Sequence, residues 1–392
     1  MRLKVFAAAL IFTLLCLTLV GCGENLTKPE ELETASVARI ASHTATETEI
    51  AEQVELAAGE AVTVDGHPLS GSLISGETLY VSFQELEEEL SLITWKKSDL
   101  FGFVWRGEHF SGRAGSAELR CGEERIALAA DILWYEGEWY VPAVSFCEAL
   151  HISAFYDEEE LHWYFTPSAG DWELPEGYRV PILMYHAVSD NIWGISGLFV
   201  SPSEMEKQLQ YLVENGYEPI WFEDLEHVDE YEKPVILSFD DGYLDNYLNL
   251  FPLLEEYQVK ATFFVITDYL VGGYYMTKDM VREVSESGLV SIQSHTCSHP
   301  DLSSMDLEGQ RRQFEDSKLA ILRITGKEPF VLCYPMGRAN QYTRDALEGV
   351  YRFGVKMNGP VYYTGDDAAL VYRLSVGRST ELYVFAALLE QT

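Results

Sequence analysis

Between Tyr178 and the C-terminus, short apolar runs alternate with longer segments whose apolar residues recur every three to four positions. Apolar runs bounded by polar clusters predict buried strands. They fall at 180–185, 235–239, 261–266, 290–293 and 330–334, with further strands near Phe353 and Tyr372. Helices are predicted between them. Ser201-Pro202-Ser203-Glu204 is a capping box with proline at the first helical position, and Met205, Leu209 and Leu212 form the stripe of the helix it opens. Other helices are predicted near 248–257, 278–287, 307–325 and 342–349, and Gly326 stops the longest. Such alternation predicts a parallel sheet closed into a barrel, with its site at the C-terminal ends of the strands.

The pattern before Tyr178 is different. The same offset of 60 positions separates Tyr80 from Tyr140, Trp95 from Phe155 and Trp105 from Phe165. Self-similarity of this kind marks a repeated unit, here a strand, an amphipathic helix and a hairpin. The expected fold class is therefore α/β: a distorted (β/α) barrel over 178–392, preceded by a smaller α+β domain with an internal duplication over 61–168. A polar linker at 171–176 joins them, and an acidic tether over 23–60 precedes both. The duplicated units, with Tyr140-Val141-Pro142 and aromatic strands after each helix, resemble the copper amine oxidase N-terminal-like domain. His67, His109, His151 and His162 are too scattered along it to suggest a copper site. Wall-polymer binding and a spacer role are equally compatible with its residues.

Residues 1–22 read as a leader. Arg2 and Lys4 precede an apolar run from Val5 to Val20, shorter than the ~20 residues of a spanning helix. Leu19-Val20-Gly21-Cys22 resembles the lipobox of bacterial lipoproteins, which implies lipid on Cys22 and a chain anchored to the outer side of the cell membrane. The 392 residues carry a net charge of −36, so nucleic acid is excluded as a partner. Outside the leader stand Cys121, Cys147, Cys297 and Cys333. A Cys121–Cys147 disulfide is compatible with an oxidising compartment, whereas Cys297 and Cys333 read as small buried thiols.

Two motifs carry the chemistry. The strand at 235–239 ends in Asp240-Asp241-Gly242, and the strand at 290–293 is followed by His295 and His299. Two adjacent carboxylates belong at a strand end, because burying unpaired charge costs several kcal/mol. Gly242 lets the chain break the strand's alternation, so both can face one site. With one carboxylate, the two histidines make a His-His-Asp set that leaves positions open for water, as catalytic zinc requires.

Together these residues resemble the NodB-homology polysaccharide deacetylases of carbohydrate esterase family 4. Ser238-Phe239-Asp240-Asp241-Gly242 matches that family's T/S-F-D-D-G motif, and His295-Thr296-Cys297-Ser298-His299 its H-S/T-x-x-H motif. The resemblance implies Asp240 as general base and Asp241, His295 and His299 as ligands of one divalent metal, with zinc the default and nickel, cobalt or iron compatible. Leu332-Cys333-Tyr334-Pro335-Met336-Gly337 resembles the third motif, implicating the Tyr334 amide as an oxyanion donor. The arginine many relatives carry just before this tyrosine is absent, which leaves open what orients Asp240. The late Leu-x-His motif is also missing. Met184-Tyr185-His186-Ala187-Val188 instead matches the Y-H-x-V motif of poly-N-acetylglucosamine deacetylases, which implies His186 as general acid. The expected activity is removal of N-acetyl groups from an N-acetylglucosamine polymer, exopolysaccharide or peptidoglycan, by a monomer. A non-catalytic wall-binding lipoprotein and an O-acetyl esterase are the alternatives.

Overall fold

The computed structural model describes residues 56–167 and 173–391. The leader, Cys22, most of the tether and part of the linker lie outside the described residues. In the first lobe the two copies of the duplication meet along strands β1 (Thr78–Ser82) and β2 (Glu138–Pro142). These strands are antiparallel, with Val81 opposite Val141. The two valines are equivalent positions of the repeat, so a local two-fold relation links the copies. Each strand enters a short helix, α1 (Phe83–Glu89) or α2 (Ala143–Ala149), and then a two-stranded hairpin. Phe83 and Phe146, on α1 and α2, pack edge to face at 6.1 Å between ring centroids.

Cys147 lies in this apolar core as a free thiol, so the Cys121–Cys147 disulfide is not formed. Cys147 faces the core from α2, whereas Cys121 ends a half-exposed strand, Glu118–Cys121. Cys297 and Cys333 are buried free thiols, as expected.

The second lobe is built on β3 (Ile182–Tyr185), α3 (Pro202–Glu214), β4 (Pro234–Phe239), β5 (Ala261–Val265), α4 (Lys278–Glu286), β6 (Val290–Ser294), α5 (Leu307–Thr325), β7 (Val331–Cys333), β8 (Phe353–Val355) and β9 (Leu374–Ser375). The strands run parallel in the order β8-β7-β6-β5-β4-β3-β9. Both faces are covered, so every residue of β4 is buried and its pattern is a continuous apolar run. Alternate side chains feed two cores. Leu183, Leu237 and Phe263 pack with Met205 and Leu209 of α3, whereas Ile182, Ile236 and Phe264 join Val331 and Phe353 in another cluster.

Closure is irregular. Val371 bridges to Val355 on β8, and Leu374 pairs with Leu183 on β3. Residues 371–375 therefore span the gap between the two edges of the sheet and make the barrel a distorted one. The stretch at 248–257 departs from a plain α-helix: Asn246–Leu250 is a π turn, followed by an α-helix over Phe251–Tyr257. Pro252 lacks the N–H that a continuous helix would use.

Contacts between the lobes gather at the C-terminal end of α5. Arg323 pairs with Asp157 and Glu159, and Thr166 donates to Glu328 at 3.2 Å. Gly66 and Gly326 approach so closely that a Cβ on Gly326 would lie 2.5 Å from the Cα of Gly66. Asp157 is buried, and the Arg323 charge and hydrogen bonds hold its carboxyl below the usual range.

Candidate metal centre and its surroundings

β4 delivers Asp240 in register: its N–H donates to the Tyr185 carbonyl at 3.0 Å, continuing the ladder with β3. The chain then turns through Asp241 and Gly242, both left-handed, at φ 73° and 72°. That reversal sends the two carboxylates to different partners, although both are buried. Thr296 and His299 are also left-handed, at φ 68° and 55°. Strained backbone of this kind collects at functional sites.

Asp241, His295 and His299 converge. The Nε2 atoms of His295 and His299 lie 3.5 and 3.7 Å from Asp241 Oδ1. The three ligand atoms all lie within 4.8 Å of one another. His295 Nδ1–H donates to the Cys333 carbonyl at 2.8 Å, which turns the Nε2 lone pair toward Asp241. Gln313 on α5 fixes the loop between the histidines, its Oε1 accepting from the amides of Cys297 and Ser298 at 3.1 Å each. Two neutral imidazoles and a carboxylate at such spacing fit a divalent cation. Burial pushes the His299 imidazole below its ordinary value, which favours the neutral ligand form.

Asp240 has a different environment. Fully buried Arg373 grips it with two hydrogen bonds, Nη1 to Oδ1 at 2.6 Å and Nη2 to Oδ2 at 2.7 Å. Arg373 also donates to Ser238 Oγ at 3.0 Å and to the Lys356 carbonyl at 3.2 Å. Burial alone would raise the Asp240 carboxyl, but the Arg373 charge and hydrogen bonds outweigh it and hold the group well below the usual range. Asp240, His295 and Cys333 also lie close enough to share an ion. The guanidinium on both Asp240 oxygens opposes a second cation there, so the favoured site is the one at Asp241.

Arg373 answers the question left by the missing arginine of the third motif. A lone cation inside the apolar run Val371-Tyr372-Arg373-Leu374 was the only signal in the sequence. His186 stands on the other side of Asp240, with Nε2 at 3.7 Å from Oδ2. Burial lowers its imidazole, and the carboxylates of Asp240 and Asp241 oppose that effect. Asp245 and Asn249 fix the segment after it, Asp245 accepting from Val188 N–H at 2.9 Å and Asn249 donating to the Val188 carbonyl at 2.8 Å.

One expectation fails. The Tyr334 amide donates to the Val355 carbonyl at 2.9 Å, as part of the β7–β8 ladder, and so is not available to an oxyanion. Pro335 has no N–H, so the first amide beyond the ladder is that of Met336, at φ 57° in the turn Pro335–Gly337.

Residues 227–355 match the family model described as polysaccharide deacetylase. YxkH of Bacillus subtilis is 32% identical over 183 residues, covering 45% of this chain and 64% of YxkH. The poly-beta-1,6-N-acetyl-D-glucosamine N-deacetylase of Escherichia coli is 31% identical over 134 residues, covering 29% of this chain and 20% of that enzyme. This chain thus spans less than two thirds of the length of either relative. Among solved structures, the Streptococcus pyogenes deacetylase PplD in complex with acetate superposes with a TM-score of 0.51 at 26% identity, over 55% of this chain and 99% of that one. A polysaccharide deacetylase from Bacillus cereus shares the fold over 86% of this chain and all of its own, with a TM-score of 0.52 at 21% identity. With the Asp-Asp-Gly turn and the histidine loop both inside the matched segment, residues 227–355 are similar to a polysaccharide deacetylase domain.

Proposed function

We propose that this protein removes N-acetyl groups from an N-acetylglucosamine-containing polysaccharide, using one divalent metal held by Asp241, His295 and His299. The observation that carries this reading is the division of labour between adjacent carboxylates. Asp241 faces two imidazoles, while Asp240, 2.6 Å from Arg373, is kept ionised beside them. A divalent ion in such a set supplies Lewis acidity toward an acetamide carbonyl and acidifies water. Asp240 then accepts the proton of the attacking water. Arg373 holds both Asp240 oxygens, so the carboxylate stays oriented and charged until that moment. His186, across from Asp240, gives a proton to the departing amine nitrogen. The Met336 amide replaces that of Tyr334 in our reading as the backbone donor to the developing oxyanion.

Zinc is the expected metal. The duplicated lobe keeps its reading as a copper amine oxidase N-terminal-like domain, supported by the pairing of equivalent valines. Lipid attachment at Cys22, anchorage at the outer side of the cell membrane and a monomeric state complete the proposal.

The test is acetate release from N-acetylglucosamine oligomers, with metal content measured on the same samples. Asp240→Asn is expected to retain metal and lose turnover at least ~100-fold, and His295→Ala to lose the metal. Unchanged turnover and metal content in both variants would sink the assignment.

A further inference from the structure

The loops beside the metal centre carry an aromatic surface that the reaction does not use. Trp193 follows β3 in the chain and lies against Tyr243 and Tyr274, at 4.6 and 4.7 Å between ring centroids. Tyr275 continues the group, 5.4 Å from Tyr243 and 5.0 Å from Tyr269. The loop holding Tyr274 and Tyr275 is zipped onto the Asp-Asp-Gly turn: Leu244 N–H donates to the Tyr274 carbonyl at 2.8 Å, and Met276 N–H to the Gly242 carbonyl at 3.0 Å. The surface is therefore a rigid extension of the metal-ligand turn. It is also open: Tyr274 is 61% exposed, and Ile195 and Val271, in the same two loops, are 73% and 81% exposed.

We propose that Trp193 and Tyr274 form a stacking subsite for a sugar ring next to the one being deacetylated, in a neutral N-acetylated glycan chain. The exposed Tyr274 ring with its hydroxyl at the rim, beside the half-buried Trp193 indole, matches a pyranose, which is apolar on its faces and polar at its edge. Charge selects against the other candidates. The two loops, 190–198 and 267–277, contain Asp190 and Asp268 but no lysine or arginine of their own, which favours a neutral ligand over an anionic lipid surface or anionic polymer. Trp221 is not part of the surface. Its Nε1–H donates to the Leu289 carbonyl at 3.2 Å, beside the start of β6, and Lys260 lies 4.5 Å over its ring.

This inference rests on the glycan substrate proposed above. It is tested by calorimetric binding of β-1,4- and β-1,6-linked N-acetylglucosamine oligomers of one to six units to the full chain carrying Asp240→Asn. Tyr274→Ala, which removes an exposed side chain, and Trp193→Ala are compared in that background, with Trp221→Phe as control and melting curves to confirm folding. Both variants are expected to bind the longer oligomers about tenfold more weakly and the monomer unchanged, while the control binds as the parent does. Length-dependent binding by the parent that Tyr274→Ala leaves intact overturns the subsite alone. Absence of oligomer binding by the parent, together with absence of acetate release by the unsubstituted enzyme, overturns the substrate reading and the subsite with it.

Discussion

Arg373 and Asp240 are buried together, and neither is tolerable alone. A fully buried ion pair that loses one partner leaves an uncompensated charge, at about 3–5 kcal/mol. Arg373→Met should therefore lower stability by about that amount and reduce turnover at least ~100-fold, because Asp240, the base of the proposed reaction, loses both its orientation and its charge stabilisation. Adding Asp240→Asn to Arg373→Met should restore much of the stability and none of the turnover. Chemical denaturation and acetate release on the three proteins check this. A double variant no more stable than the single one would mean that Arg373 acts by filling space. Tyr334 is limited by its backbone and not by its side chain. A backbone donor is defined by what its N–H already does, and that amide is consumed by the ladder to Val355.

Helix α5 ties the site to the rest of the molecule. Near its start, Gln313 holds two amides of the histidine loop. Gln313→Ala should weaken metal binding about tenfold, the usual size of an effect on residues that position ligands. Titration of the metal-free protein with zinc measures it, and unchanged affinity would show that the loop holds its shape without α5. At its other end, Gly326 is left-handed at φ 70°, and an added Cβ would strike Gly66. Gly216, just past α3, has the same φ of 70° but open space around it. Gly216→Ala should cost about 1 kcal/mol from backbone strain, and Gly326→Ala clearly more, because the lobes must move apart. Equal losses on thermal melting would show that the close approach carries no energy.

From Gln313 to Gly326 is about 20 Å along a helix axis, so the first lobe docks well away from the candidate metal centre. That placement argues for a support or a separate binding role rather than a part in the chemistry. The pH dependence of stability should be visible at Glu223, a carboxyl packed beneath β6. It accepts from Ser291 Oγ at 2.7 Å and from Gln293 Nε2 at 3.3 Å. Burial pushes it up to about 7 from the usual 4.5, against the pull of the Ser291 hydrogen bond. Below 4.5 the group is protonated in folded and unfolded chains alike. Between 4.5 and about 7 the unfolded chain releases a proton that the folded one keeps, so stability falls as pH rises across that window. Above it both states are ionised and the penalty is constant. Glu223→Gln, which mimics the protonated acid, should therefore melt a few degrees higher than the parent at about pH 8, with little difference at about pH 4. Equal melting points at both pH values would place Glu223 in contact with solvent.

What the chain determined by itself was local in origin. Strand–helix alternation, the capped helix at Ser201, the stop at Gly326 and the repeat offset all depend on spacing within short segments. Asp240, Asp241, His295 and His299 were legible for the same reason: each pair sits on one turn directly after a strand, and parallel strands bring such turns to one face. The tertiary structure alone decided the rest. Arg373 lies 133 positions beyond Asp240 and meets it only because residues 371–375 close the sheet. The rings of Trp193, Tyr243 and Tyr274 come from three separate segments and share a surface only once one loop is zipped to the Asp-Asp-Gly turn. Contacts of that kind depend on barrel closure and loop docking, which leave no periodic mark on a sequence.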